Sequence, residues 1–206
     1  MSENQEKSYC GVERTLIVFK PDSVQRGIVG EILQRFERVG LKIVGTKMMA
    51  PDEDYYYQHY EGIGKLATRR GETALNVTLK MMMAGPVIAM VLEGVEAVAV
   101  VRKIVGPTES KSADMGTIRG DFSHISFGYA DSCNMGVTNL IHASGDVEEA
   151  KQEIDHWFKP EELMDYPVLS EKFTQSRSVL RIRLQVRLLP GVPNTALGVV
   201  FNLLGF

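Results

Sequence analysis

Cysteine is scarce in this chain: 206 residues hold only Cys10 and Cys133. So widely separated and lacking metal-ligand spacing, they suggest neither a disulfide framework nor a zinc site, and reduced thiols in a cytoplasmic protein are expected. Long apolar runs are also missing. No segment is long enough to cross a bilayer, and the N-terminal MSENQEKSYC has no signal-peptide core, so no membrane association is expected. Excess positive charge is lacking too. A formal net charge of -3 argues against coating nucleic acid, and no specific nucleic-acid partner is expected. Any bound anion must then be met by a local cluster of cations. The common phosphate loops are missing as well: GIGK at 62–65 lacks the first glycine of a P-loop and precedes Leu66, not Ser or Thr, and no GxGxxG follows a strand.

What the chain does contain is a regular alternation of patterns. RTLIVFK at 14–20 reads as a buried strand, and the spacing of Val24, Ile28, Ile32, Phe36 and Val39 predicts one helix, capped by Asp22 and stopped by Gly40. Residues 41–49 form a second strand candidate, followed by a tyrosine-rich helical stretch. EGIGKLATRRGET reads as a loop-like insertion. Residues 74–83 favour helix, VIAMVL at 87–92 reads as a central strand, and 95–105 as a helix carrying Arg102 in its last turn. Val137 to Ile141 gives a fourth strand. Asp146 caps a last helix, with Glu149 in the capping-box position and Ala150, Ile154 and Trp157 facing inward. The sum suits an α+β sandwich with helices on one face of a small sheet.

The chemistry is expected around His142, which ends a strand and precedes a capped helix, where backbone N–H groups favour anions. Neutral imidazole is a competent nucleophile toward a phosphoryl group. A lone histidine at such a place is more often structural. Lys20, Arg102, Thr108 and Arg119, however, each fall at the end of an element, and phosphoryl transfer needs several cations around the phosphates together with a bridging metal ion. Periodicity alone does not show that these residues converge.

Together, RTLIVFKPDSVQRGIVGEILQRFERVGLKIVGTKMM, GPVIAMVLEG, GTIRGDF and NLIHASGD resemble the nucleoside diphosphate kinase family, matched in order from residue 12 to about 165. The resemblance implies a ferredoxin-like βαββαβ sandwich, a four-stranded antiparallel sheet with helices, here with added helices and an insertion. It implies a domain over 12–172, a polar N-terminal extension at 1–11 and a C-terminal extension at 173–206. It further implies a ping-pong phosphotransferase that maintains nucleoside triphosphate pools by way of a phosphohistidine on His142. Glu153 would orient the imidazole and Ser144 would donate a hydrogen bond beside it. Lys20, Arg102, Thr108 and Arg119 would hold phosphates, Asn139 would meet the sugar and phosphate region, and Tyr60 would lie close to His142. Mg2+ would arrive mainly on the nucleotide phosphates, with no protein metal ligands. The partners implied are nucleoside di- and triphosphates and further copies of the chain, as a hexamer or a tetramer of dimers.

The chain departs from the family where the base would bind. The Pro-Phe-Phe stretch that most members carry after the position of Tyr60 is replaced by EGIGKLATRRGETALNVTLK, which has no aromatic residue. A longer segment, SHISFGYADSCNMGVT, precedes Asn139, and its Phe127 or Tyr129 could compensate. Prolines usual before Gly-Thr-Ile-Arg-Gly are Ser110 and Met115 here. The tail from Phe173 has four arginines and no acid, leaving -7 on the rest of the chain, and LRIRLQVRL at 180–188 alternates like a strand. An added strand, an oligomer contact and an extension without a selected role all fit that tail, and no function is assigned to it.

Overall fold

A computed structural model of the chain describes residues 11–174. The strand expected at 180–188 lies outside the described residues. Two compact units divide after Pro167. In the second, the described residues include a one-turn helix, Glu171–Thr174.

The first unit is built on an antiparallel sheet of β1 (Val12–Phe19), β2 (Lys42–Met49), β3 (Val87–Val95) and β4 (Ile141–Ala143), ordered β2-β3-β1-β4. With its helices this is the expected ferredoxin-like α+β fold. In the register, Leu16 faces Val91, and Val18 faces His142. Along β1, successive side chains point to opposite faces, so Leu16 and Val18 enter one core and Ile17 and Phe19 another.

The first core is completed by Tyr56 of α3 (Glu53–Tyr57), Leu75, Leu79 and Met82 of α5 (Glu72–Met82), and Ile154 and Trp157 of α9 (Val147–Trp157). The second takes Ile32 and Phe36 of α2 (Val29–Arg38), Val101 of α6 (Ala97–Val105) and Ile118 of α7 (Ile118–Phe122). Helices therefore cover both faces of the sheet, not one. The continuous apolar runs of β1 and β3 carry the reason, since a sheet with one wet face alternates apolar and polar residues.

Several boundaries differ from expectation. The single helix after β1 is two, α1 (Pro21–Gln25) and α2, because Gly27 turns left-handed at φ 68° and ends the first. α2 ends at Arg38, and Val39 at its C-cap is 52% exposed while Phe36 is wholly buried. Asp22 is not the cap of α1: Lys20 holds that position, and the Asp22 carboxylate instead accepts the Leu140 N–H at 3.0 Å. β3 runs on to Val95, so α6 starts two residues late. The expected insertion is helical: a π-helix (Gln58–Ile63), then α4 (Leu66–Arg70), then α5. Glu61 makes α4 possible by accepting the Ala67 N–H at 2.7 Å, a free donor of its first turn. Helix α8 (Phe127–Ser132) sits in the long segment before β4. Among the described residues, no helix is long and apolar enough to cross a membrane.

Phe36→Ala is expected to lower unfolding stability in urea by about 3–5 kcal/mol through the cavity it leaves. Val39→Ala, three residues further along the same stripe, is expected to change it by less than about 0.5 kcal/mol.

Candidate active site

β4 occupies 141–143 and not the expected 137–141, and His142 is its middle residue. The residue before it explains the shift. Leu140 has φ 77°, a left-handed backbone that costs a non-glycine residue about 1–3 kcal/mol and interrupts extension. Its neighbours hold it there: the Lys20 N–H and the Ser23 hydroxyl donate to its carbonyl, and Asp22 accepts its N–H. The β1–α1 junction thus sets where β4 begins and where His142 points.

Behind the imidazole lies Glu153 of α9, fully buried. His142 Nε2 is 2.7 Å from Glu153 Oε1, and the Ser144 hydroxyl donates to Oε2 at 2.7 Å. An ionised carboxylate only accepts, so Nε2 carries the proton and the Nδ1 lone pair is free. Burial pushes the Glu153 carboxyl up, but the attraction and hydrogen bond of His142 and the bond from Ser144 outweigh it and hold the pKa at about 2. Ser144 is wholly buried, and the Leu16 N–H donates to its oxygen at 3.1 Å, anchoring Glu153 to β1.

A second histidine, overlooked in the sequence, joins them. His59 is buried in the π-helix with its ring centroid 4.6 Å from that of His142. Trp157 donates its indole N–H to His59 Nδ1 at 3.1 Å. Burial first, then the charge of His142, lower the His59 pKa to about 3. Its 3.6 Å approach to Glu153 is accordingly a contact of a neutral ring and not an ion pair. The only signal in sequence was a histidine four residues beyond Tyr55 in a helical stretch, and it was masked by the tyrosines around it. The π-helical turn, closed by Gly64 N–H to the His59 carbonyl at 3.1 Å, brings the adjacent His59 and Tyr60 to the same side. The Tyr60 ring centroid lies 6.3 Å from that of His142.

His59, His142 and Glu153 place potential ligand atoms within 4.8 Å of one another, the geometry of a metal site. Their donors are already committed: Nδ1 of His59 to Trp157, and both Glu153 oxygens to His142 and Ser144. This fits a cluster that orients His142 better than a metal cage.

The cavity in front of His142 has a volume of about 240 Å³. Lys20, Tyr60, Arg102, Thr108, Arg119 and Asn139 all line it, so the structure brings together the expected set, with Ser144 directly behind. Lys20 donates from Nζ to Asn139 Oδ1 at 2.6 Å, and the Asn139 amide donates to the Thr108 carbonyl at 2.7 Å. One buried amide therefore positions the lysine and the loop after α6. Burial, then repulsion from Arg119, lower the Lys20 pKa to about 8, while Asp22 pulls it back up. The Arg119 guanidinium donates to the carbonyls of Gly106, Asn139 and Ile141, which leaves two of its five N–H groups. Burial and then Arg102 lower its pKa to about 10. Arg102 is exposed, with one long bond to the Ser144 carbonyl at 3.4 Å. The helical insertion adds Arg69 and Arg70 to the lining. Two acids oppose these five cations, Glu149 and Glu153, and Glu149 is engaged by the Gly145 N–H at 2.9 Å. The cavity is built for a polyanion.

Comparison with known proteins agrees with this geometry. The family model described as nucleoside diphosphate kinase matches residues 13–163. The chain is similar to the nucleoside diphosphate kinase of Borreliella burgdorferi, 44% identical over 155 residues, covering 75% of this chain and 92% of that protein. It is 45% identical over 161 residues to the enzyme of Pyrococcus horikoshii, covering 78% and 94%. Among solved structures, a transition-state mimic of the Borrelia burgdorferi enzyme with bound vanadate and ADP superposes with a TM-score of 0.77 at 42% identity, covering 79% of this chain and 96% of that one. The Halobacterium salinarum enzyme in complex with CDP gives 0.68 at 35%, covering 81% and 100%. With a family model spanning most of its length and a site of matching chemistry, the chain belongs to the nucleoside diphosphate kinase family, which are phosphotransferases.

Proposed function

We propose that His142 Nδ1 is the nucleophile of a ping-pong transfer between nucleoside tri- and diphosphates. The observation that carries this reading is the bond from His142 Nε2–H to buried Glu153, which leaves Nδ1 unprotonated at the cavity. Nδ1 attacks the terminal phosphorus. The N–P bond forms as the bond to the bridging oxygen breaks, and the diphosphate leaves with that electron pair. The proton stays on Nε2, where Glu153 offsets the charge that the imidazole acquires. A second diphosphate then attacks the phosphohistidine and the same steps run in reverse, regenerating free Nδ1.

Lys20, Arg102 and Arg119 stabilise charge on the phosphate oxygens, and Thr108 holds the same group from the loop after α6. Asn139 positions Lys20, and Tyr60 and His59 wall the nucleophile off from water. With both lining acids engaged and five cations facing the cavity, the residues suit a magnesium ion that enters on the phosphates, without a protein cage; when bound it offsets their charge. The catalytic domain comprises 12–172, and the enzyme works in the cytoplasm on nucleotide pools. The enzyme assembles into a homo-oligomer, a hexamer or a tetramer of dimers, as the family resemblance implies.

Brief exposure to ATP and magnesium is expected to add the mass of one phosphoryl group to the wild-type chain and none to His142→Ala. Equal labelling of both would eliminate His142. Glu153→Gln, which keeps an acceptor but removes the charge, is expected to slow turnover about ten- to a hundredfold. A pH profile checks Lys20. Below about pH 8 the free protein carries a charged Lys20, and above it the amine is neutral, so kcat/KM is expected to fall as pH rises through about 8. Lys20→Met is expected to be low and flat across that window.

A further inference from the structure

A nucleotide has a polyanionic end and a flat heteroaromatic end, and the cavity above accounts only for the first. Four aromatic rings line it: His59, Tyr60, Phe127 and His142. His142 is the proposed nucleophile. His59 is buried against Trp157 and His142, and Tyr60 packs edge-on to His59 at 4.7 Å. Phe127 is the ring left over, and it belongs to a different element, the first turn of α8.

The face of Phe127 is not bare. Arg70 of α4 places its guanidinium carbon 3.8 Å from the ring centroid, the separation of a stacked pair. Both side chains line the cavity, as does Leu66 from the start of α4. The position of the ring is fixed through its backbone: the Phe127 N–H donates to Glu109 Oε1 at 2.9 Å, and the other Glu109 oxygen accepts the Ser112 hydroxyl. The Lys111 N–H donates to the Ile125 carbonyl at 3.1 Å, and Ser126 caps α8 by accepting the Tyr129 N–H at 3.1 Å. Glu109 directly follows Thr108, so the loop that faces the phosphates also carries the tether of this ring. Tyr129 lies one turn's edge away, is 60% exposed and does not line the cavity.

We propose that the Phe127 ring, backed by the Arg70 guanidinium, is the platform on which the nucleobase stacks. The proposal rests on the reading of the cavity as a nucleotide site and assigns its base end. Every base has a π-face, and stacking reads no hydrogen-bonding edge, so this platform accepts purines and pyrimidines with a preference for the larger ring. It is supplied by two segments, α4 and α8, whose side chains meet at the cavity lining.

The test is equilibrium binding by calorimetry of two probes, ADP and the base-less ribose 5-diphosphate, whose affinity ratio isolates the base. In the wild-type chain ADP is expected to bind more tightly. Phe127→Ala is expected to reduce the ratio about tenfold or more, Phe127→Trp to preserve it, and Arg70→Ala to reduce it less than Phe127→Ala. Tyr129→Ala, in the same helix, is expected to keep the wild-type ratio. An unchanged ratio in Phe127→Ala, an equal drop in Tyr129→Ala, or a wild-type ratio near one overturns the proposal. Binding is read without turnover, so a chain that binds ADP with the expected ratio yet transfers no phosphoryl group refutes the role of His142 and supports the platform.

Discussion

The carboxylate of Glu153 is wholly buried, and a charge in that position is tolerable only when every lone pair that faces protein is met. Its hydrogen-bond partners are His142 on β4 and Ser144 just beyond it, with the neutral ring of His59 of the π-helix in contact. Meeting this one charge sets the tautomer of His142 and the anchoring of Ser144 to β1, while burial keeps His59 neutral beside it. Replacing it with a well-packed apolar residue would leave the fold's cores intact and remove the reason for the arrangement in front of them.

The cationic side of the cavity follows a related logic. Lys20 and Arg119 are buried and spend much of their hydrogen-bonding capacity on Asn139 and on main-chain carbonyls, whereas Arg102 is exposed and loosely bound. Two rigid cations and one adaptable cation suit a reaction in which charge migrates from one phosphate oxygen to another, because preorganised groups need no rearrangement at the moment of transfer. The burial that holds Lys20 in place also lowers its pKa, and the neighbouring Arg119 charge adds to the effect.

Much of this was legible in sequence, for reasons that differ by element. β1 and β3 are runs of β-branched and apolar residues whose burial on both sides leaves little choice of structure, and Asp146 caps α9 as its side chain predicts. The expected site residues do meet at one cavity, although only the family resemblance brought them together in advance. What sequence obscured were features set by tertiary contacts. Gly27 sits within a helical period yet breaks it, and Asp22 has every local mark of a cap but serves Leu140, more than a hundred positions away. The segment taken for a loop is helical because Glu61 caps it from within. His59 carries only a weak local signal, since its meaning depends on Trp157 and Glu153 of a distant helix.

Leu140 gives the arrangement a temporal side. Its left-handed backbone is held by Asp22 and Ser23 across 118 and 117 positions, and Ser144 reaches Leu16 across 128. Contacts of such sequence separation close late, after loop-closure entropy has been met by the nearer pairs. Until β4 and α9 are in place, the first core lacks Ile154 and Trp157, the second lacks Leu140 and Ile141, and the chain holds only an ordinary imidazole. Reactivity toward phosphate is acquired when β4 docks beside β1, so the chemistry acts as a report that the domain is whole.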